Sequence, residues 1–157
     1  MKKVELILAP TDFSENAHKA AVYAVGLALQ LGAKVNILTV NSKSYIRQAI
    51  KEGLLDVDAT DEILQKRTLE LTQKRLAEFV RHCSCEGVEI ETSIRTGDAG
   101  VEINHHATEI SADLIVLGNY GIGGVRNILF GSAAEKVIRK SPCPVVLIHP
   151  HASGADS

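Results

Sequence analysis

Four short apolar runs, Val4–Ala9, Val35–Val40, Leu114–Leu117 and Val145–Ile148, are separated by stretches with helical periodicity. The runs are nearly continuous in β-branched and aliphatic residues rather than alternating. That composition suits strands buried on both faces of a parallel sheet. A fifth run, Val88 to Ile94, alternates apolar and polar residues, which predicts a strand with one wetter face at or near a sheet edge. The order β-α-β-α-β-α-β-α-β therefore predicts an α/β fold: an open five-stranded parallel sheet, Rossmann-like, with helices on both faces. A flavodoxin-like strand order obeys the same pattern, so alternation alone does not select the topology.

The helical stretches carry start and stop signals. Ser14 is placed to cap a first helix whose Ala17, Ala20, Ala21, Ala24, Leu27, Ala28 and Leu31 share one face, and Gly32 to end it. A second helix is expected from about Asp61 to Arg81, with Leu64, Leu69, Leu71, Leu76, Phe79 and Val80 as its apolar positions. A third follows Asp98, with Ile103, Ala107 and Ile110 on one face. A fourth begins at Ser132-Ala133-Ala134-Glu135, which reads as a capping box. The long connection from Asn41 to Thr60 places Tyr45, Ile46, Ala49 and Ile50 at helical spacing. It is expected to hold a short extra helix that packs on the domain or on a partner subunit, as a lid or as a static insertion.

Composition narrows the function. With 157 residues the chain fits one domain, expected over residues 1–150, with a small polar tail at 151–157 expected to be disordered. A net charge of −2 argues against a nucleic-acid binder that works by blanket phosphate neutralisation. No run approaches the ~20 apolar residues of a membrane span. The opening Leu6-Ile7-Leu8-Ala9 is shorter than the roughly 7–15 residues of a secretory h-region. Three cysteines, Cys83, Cys85 and Cys143, imply no disulfide framework, and a cytoplasmic location is the simplest expectation. His82 with Cys83 and Cys85 lacks a second cluster at zinc-like spacing, so no metal site is expected there. His105 and His106 point in different directions on a helix, which excludes a shared ligand role.

In an open α/β sheet, ligands bind outside the carboxyl ends of the strands. After the run Leu114–Leu117 stand Gly118, Gly121, Gly123 and Gly124, four glycines in seven residues, and Gly131-Ser132 opens the last helix. Glycines allow close approach to the backbone, and a helix N-terminus offers free N–H groups and positive dipole to a phosphate. A tight turn with a plain cap accounts for the same residues equally well. No Gly-Lys pair occurs in the chain, which excludes a P-loop, and the first turn, Pro10-Thr11-Asp12-Phe13-Ser14, is not a dinucleotide fingerprint.

The spacing Gly118-x2-Gly121-x9-Gly131-Ser132 resembles the nucleotide-binding signature of the universal stress protein family, in its ATP-binding branch. The opening Leu8 to Ser14, the Gly97-Asp98 turn, Gly131 to Val137 and Ser141 to Val145 are also similar to that family, and the resemblance runs from Val4 to His149. It implies a sheet order of 3-2-1-4-5 and a site for an adenine nucleotide: ATP, or ADP or AMP, with Mg2+ as an optional companion. It implies that Asp12 and Val40 contact the adenosine end, with Pro10 and Thr11 on the same wall. Gly118, Asn119, Gly121, Gly131, Ser132 and Ala133 would surround ribose and phosphates. Asp12 is equally placed to act as a helix-flanking acid. Asn119, Tyr120 and Ile122 depart from the family's usual hydroxyl and basic residues, which leaves Arg126 as the nearest cation. The resemblance further implies a homodimer through the last strand, Val145–Ile148. The function it implies is regulatory, of the stress-response type, with nucleotide state modulating dimer or partner contacts. A slow ATPase and a nucleotide-free interaction module are the alternatives.

Overall fold

The computed structural model of the chain describes residues 1–119 and 132–150. Five strands form one sheet: β1 (Leu6–Pro10), β2 (Lys34–Asn41), β3 (Ile90–Thr96), β4 (Leu114–Gly118) and β5 (Val145–Ile148). Every pair is parallel and the order is β3-β2-β1-β4-β5, the expected 3-2-1-4-5. Chain direction across the sheet reverses between β1 and β4. Right-handed crossovers then place the helices that precede the reversal on one face and those after it on the other.

The helices are α1 (Glu15–Leu31), α2 (Lys43–Lys51), α3 (Asp61–Cys83), α4 (Ala99–Glu109) and α5 (Ser132–Lys140). Helices α1 and α3 cover one face, where Ala20, Ala24, Val25, Ala28, Leu76 and Phe79 meet Ile7, Val35, Ile37 and Val116. Helices α4 and α5 cover the other, where Ile103, Ala107, Ala134 and Val137 meet Leu8, Leu38, Val40, Ile115 and Leu117. Successive residues of each central strand therefore enter opposite cores, which explains the nearly continuous apolar runs, with Asn36 and Thr39 of β2 as buried polar interruptions. The alanine row of α1 keeps that helix close to the sheet. Leu31, expected on that face, is exposed, and Val25 is buried instead.

Side-chain caps start four helices. Ser14 accepts from the Ala17 N–H at 3.2 Å, Ser42 from Tyr45 at 3.1 Å, Thr60 from Ile63 at 3.4 Å and Asp98 from Val101 at 3.1 Å. Each such cap contributes about 1 kcal/mol. Gly32 closes α1 in the left-handed region, at φ 67°. Helix α5 is already helical at Ser132, so that residue stands in its first turn.

Strand β3 lies two residues further along the chain than expected, and it is an edge strand. On α3 the buried row is Thr68, Thr72, Leu76, Phe79 and Cys83, while Leu69 is exposed. The threonines tolerate burial because each hydroxyl bonds the carbonyl one turn back, Thr68 to Leu64 at 2.6 Å and Thr72 to Thr68 at 2.8 Å. The expected extra helix in the long connection is α2. It packs on the domain through buried Tyr45 and Ala49, with Leu55 buried just beyond it. The Tyr45 hydroxyl lies 3.1 Å from the Thr72 hydroxyl, whose single proton is shared between Thr68 O and Asn41 Oδ1, each at 2.8 Å. His106 is buried and His105 exposed, as their divergent directions require. His106 Nε2 lies 3.2 Å from Asn36 Oδ1, and burial pushes its imidazole below the ordinary pKa. No helix among the described residues is long and apolar enough to cross a membrane.

Candidate functional site

The chain reversal leaves a gap in the sheet. Strands β1 and β2 are in register over five residue pairs, whereas β1 and β4 pair only at Ile7↔Leu114 and Leu8↔Ile115. Beyond Leu8 the ends of β1 and β4 continue without bonding to each other, and a crevice at this switch point is where α/β sheets take ligands.

One wall is the turn from β1 into α1. The Thr11 N–H donates to Leu38 O at 2.8 Å, which extends the β1–β2 ladder by one bond. Thr11 Oγ1 accepts from the Phe13 N–H and Asp12 Oδ1 from the Ser14 N–H, both at 3.0 Å. These two bonds fold the chain sharply and put Phe13 in the left-handed region, at φ 66°. An aromatic residue holds that conformation only when its surroundings impose it. Here the Phe13 ring lies edge-on to Phe79 at 5.8 Å and beside Tyr45 at 6.1 Å, with the Arg75 guanidinium 5.0 Å above it. The ring is thus clamped between α2 and α3. Val40, next to last in β2 and buried, stands beside this wall with its side chain in the α4/α5 core.

The other wall is the end of β4. A Cβ on Gly118 would stand 2.7 Å from Asn16 Nδ2 and 3.1 Å from Asn16 O, so only glycine fits there. The Asn119 N–H donates to Ile148 O at 3.1 Å. Its side chain is buried, and Oδ1 has no hydrogen-bond partner. An orphaned buried carbonyl costs about 1–3 kcal/mol, and such costs collect where a ligand is to be met. Ser132, exposed, and Ala133, half-buried, open α5 at the same end of the sheet.

Of the residues read from the sequence, Pro10, Thr11, Asp12, Val40, Gly118, Asn119, Ser132 and Ala133 all lie at the carboxyl end of the sheet, around the switch point. Gly121 and Gly131 lie outside the described residues, as do Tyr120, Ile122 and Arg126. Among the described residues, Lys136 in the second turn of α5 carries a cation, which Asp98 holds at 2.7 Å. That hydrogen bond keeps the Asp98 carboxyl below its usual range. Sequence reading missed three contributors: Asn16, Arg75 and the left-handed Phe13. Asn16 alone left a trace, as a polar residue at the head of the row that Ala20 and Ala24 continue.

Comparison with known proteins agrees with this fold. Residues 3–149 match the family model described as the universal stress protein family. Universal stress protein YxiE of Bacillus subtilis is 31% identical over 150 residues, covering 90% of this chain and 97% of its own length. The solved structure of MJ0577, a universal stress protein of Methanocaldococcus jannaschii, superposes with a TM-score of 0.76 at 27% identity, covering 97% of this chain and all of that one. A universal stress protein solved in complex with cAMP has a TM-score of 0.61 at 22% identity, covering 94% and 98% of the two chains. Its likeness is one of fold. From these matches and the sheet order, the chain belongs to the universal stress protein family.

Proposed function

We propose that this chain binds an adenine nucleotide in the crevice between the ends of β1 and β4, and that nucleotide state modulates its contacts with a second copy or a regulatory partner. The observation that carries the reading is the pairing of Gly118, where no side chain fits, with the buried and unpartnered carbonyl of Asn119. Together they make a backbone surface that a ligand can approach and a polar atom that a ligand donor can satisfy. Thr11 and Asp12 form the adenosine wall, with Pro10 and Val40. The start of α5, Ser132 and Ala133, turns N–H groups and positive dipole toward phosphates, and Gly121 and Gly131 are assigned to the same phosphate site by the sequence signature. Mg2+ would arrive on the phosphates, since no group of three metal-ligating side chains occurs among the described residues. Binding rather than hydrolysis is the reading, because a chain without a Gly-Lys pair lacks the lysine that phosphate loops use on the transferred group.

The copy-to-copy contact is placed at β5. This strand is an edge, its four residues are Val145, Val146, Leu147 and Ile148, and antiparallel pairing across a twofold axis would satisfy its open backbone groups. Calorimetric titration with ATP, ADP and AMP tests the site. One saturable site per chain, weakened in Asn119→Leu while circular dichroism stays unchanged, is the expected result. Unchanged affinity in that folded variant overturns the assignment. Light scattering tests the contact: a dimer mass that falls to a monomer in Val146→Pro is expected, and a dimer that survives the proline rejects β5 as the interface.

A further inference from the structure

Nothing in the sheet holds the two walls of the crevice at a set distance, because the β1–β4 ladder has ended at Leu8↔Ile115. Deeper in the sheet α1 packs on Val116 of β4, and at the crevice itself a side chain joins the walls. Asn16 lies in the first turn of α1, two residues after Ser14, and is therefore continuous with the adenosine-side turn. Its Nδ2 donates to Ile148 O at 3.3 Å, the same carbonyl that accepts the Asn119 N–H at 3.1 Å. The Gly118 backbone is packed directly against it. Asn16 is 8% exposed, so water competes little for these contacts.

We infer that Asn16 is a positioning residue, a strut that sets the spacing between the Thr11–Ser14 wall and the Gly118–Asn119 wall. The inference rests on the nucleotide reading above and names the residue on which two-walled binding depends. A carbonyl oxygen has two lone pairs, and the Ile148 carbonyl uses them for one donor from each wall. Losing the Asn16 donor releases the first turn of α1 from the Ile148 carbonyl, with Lys19 Nζ still on Pro150 O at 3.1 Å one turn further along. The Asn119 bond keeps β4 in place, so the walls move apart at the crevice. A nucleotide must touch both walls at once, and a misplacement of about 1 Å is enough to weaken such a site severely.

The variants are Asn16→Ala, which deletes the donor, and Asn16→Asp, which sets a carboxylate oxygen against the Ile148 carbonyl. The control is Val25→Ala, which trims a buried side chain of the same helix away from both walls. ATP affinity by calorimetry and apo stability by urea unfolding are read for all four proteins. The strut predicts that ATP affinity falls at least tenfold in Asn16→Ala and further in Asn16→Asp, and changes less than twofold in Val25→Ala despite its lost stability. ATP affinity that follows stability alike in all three variants, or that is unchanged in folded Asn16→Ala, overturns the strut. Should Asn16→Asp not fold, Asn16→Ala alone decides. A wild-type chain that binds no ATP rejects the nucleotide reading, and the strut with it.

Discussion

The two ends of the sheet are built on opposite plans. At the amino end, Asp113 just before β4 accepts from the Glu5 N–H at 2.9 Å and the Leu6 N–H at 3.0 Å, and pairs with Lys2 at 2.9 Å. Its own N–H donates to Leu6 O at 2.9 Å. The Glu5 N–H above all, then Lys2, holds this carboxyl below its usual range. At the carboxyl end, by contrast, Phe13 is left-handed, Gly118 is pressed against Asn16, and buried Thr39 Oγ1 and Asn119 Oδ1 have no partner. The amino end uses one carboxylate to tie two strands together, although Ser111 just before it is also left-handed, at φ 56°, and the buried His106 Nδ1 on the helix leading to it has no hydrogen-bond partner. The carboxyl end differs in gathering its left-handed aromatic, its glycine-only backbone and its unmet polarity around the strand-order switch point, where the proposed nucleotide site lies.

The largest expected effect separates the ends at the site. Gly118→Val should reduce ATP affinity at least a hundredfold, because its side chain displaces Asn16 and fills the wall. Calorimetry measures this, with circular dichroism as the check on folding. Retained affinity in the folded variant would show that the close approach at Gly118 serves packing alone. Next comes the amino end. Asp113→Ala leaves two strand N–H groups without their charged acceptor and should cost about 2–4 kcal/mol in urea unfolding. Its ATP affinity should stay within twofold of wild type, and a larger loss would dissolve the distinction between the two ends.

Acid sharpens the same contrast. The folded-state pKa of Asp113 is depressed, so its stabilisation is fully present above the ordinary carboxylate value of 3.8 and is lost as pH falls through the lowered pKa. The stability gap between wild type and Asp113→Asn should therefore close only below about pH 3.8. His106 is also depressed, from 6.5, by burial first and the Arg95 charge second, so its contribution declines as pH falls below 6.5. A pH series of urea midpoints should show two separate declines. His106→Gln should remove the upper one and leave the lower. The smallest effect is a gain: Asn119→Leu should stabilise the apo protein by about 1 kcal/mol while weakening ATP binding, because an orphaned carbonyl leaves the core. A destabilised apo variant would mean that Asn119 has a structural role instead.

Much of this contrast can be read along the chain, and the rest depends on contacts between distant residues. Strands β1 and β4 stand out because burial on both faces favours continuous apolar runs. Strand β2 is legible by the same rule although it also buries Asn36, Thr39 and Asn41, and β5 by its four aliphatic residues at an edge. Strand β3 slid by two residues because alternation fixes which face a residue takes but not where pairing stops. Of the apolar positions of α3, Leu76 and Phe79 are buried, whereas Leu69 is exposed and Thr68 and Thr72 complete the buried row, their polarity hidden by bonding backward along the helix. At the site, the glycines and Ser132 signal an anion-binding edge through local chemistry. The need for glycine at 118 comes from Asn16, about a hundred residues earlier. The left-handed turn at Phe13 opposes that residue's own preference: the Thr11 and Asp12 side-chain bonds form it, and distant Arg75, Tyr45 and Phe79 hold the ring in place.

Backbone amide shifts followed during an ATP titration test the two-ended account most directly. The account predicts saturable shifts at Thr11, Asp12, Asn16, Asn119 and Ala133, with Glu5, Leu6 and Asp113 unmoved. Shifts centred on the Asp113 end, or none at saturating ATP, would contradict it.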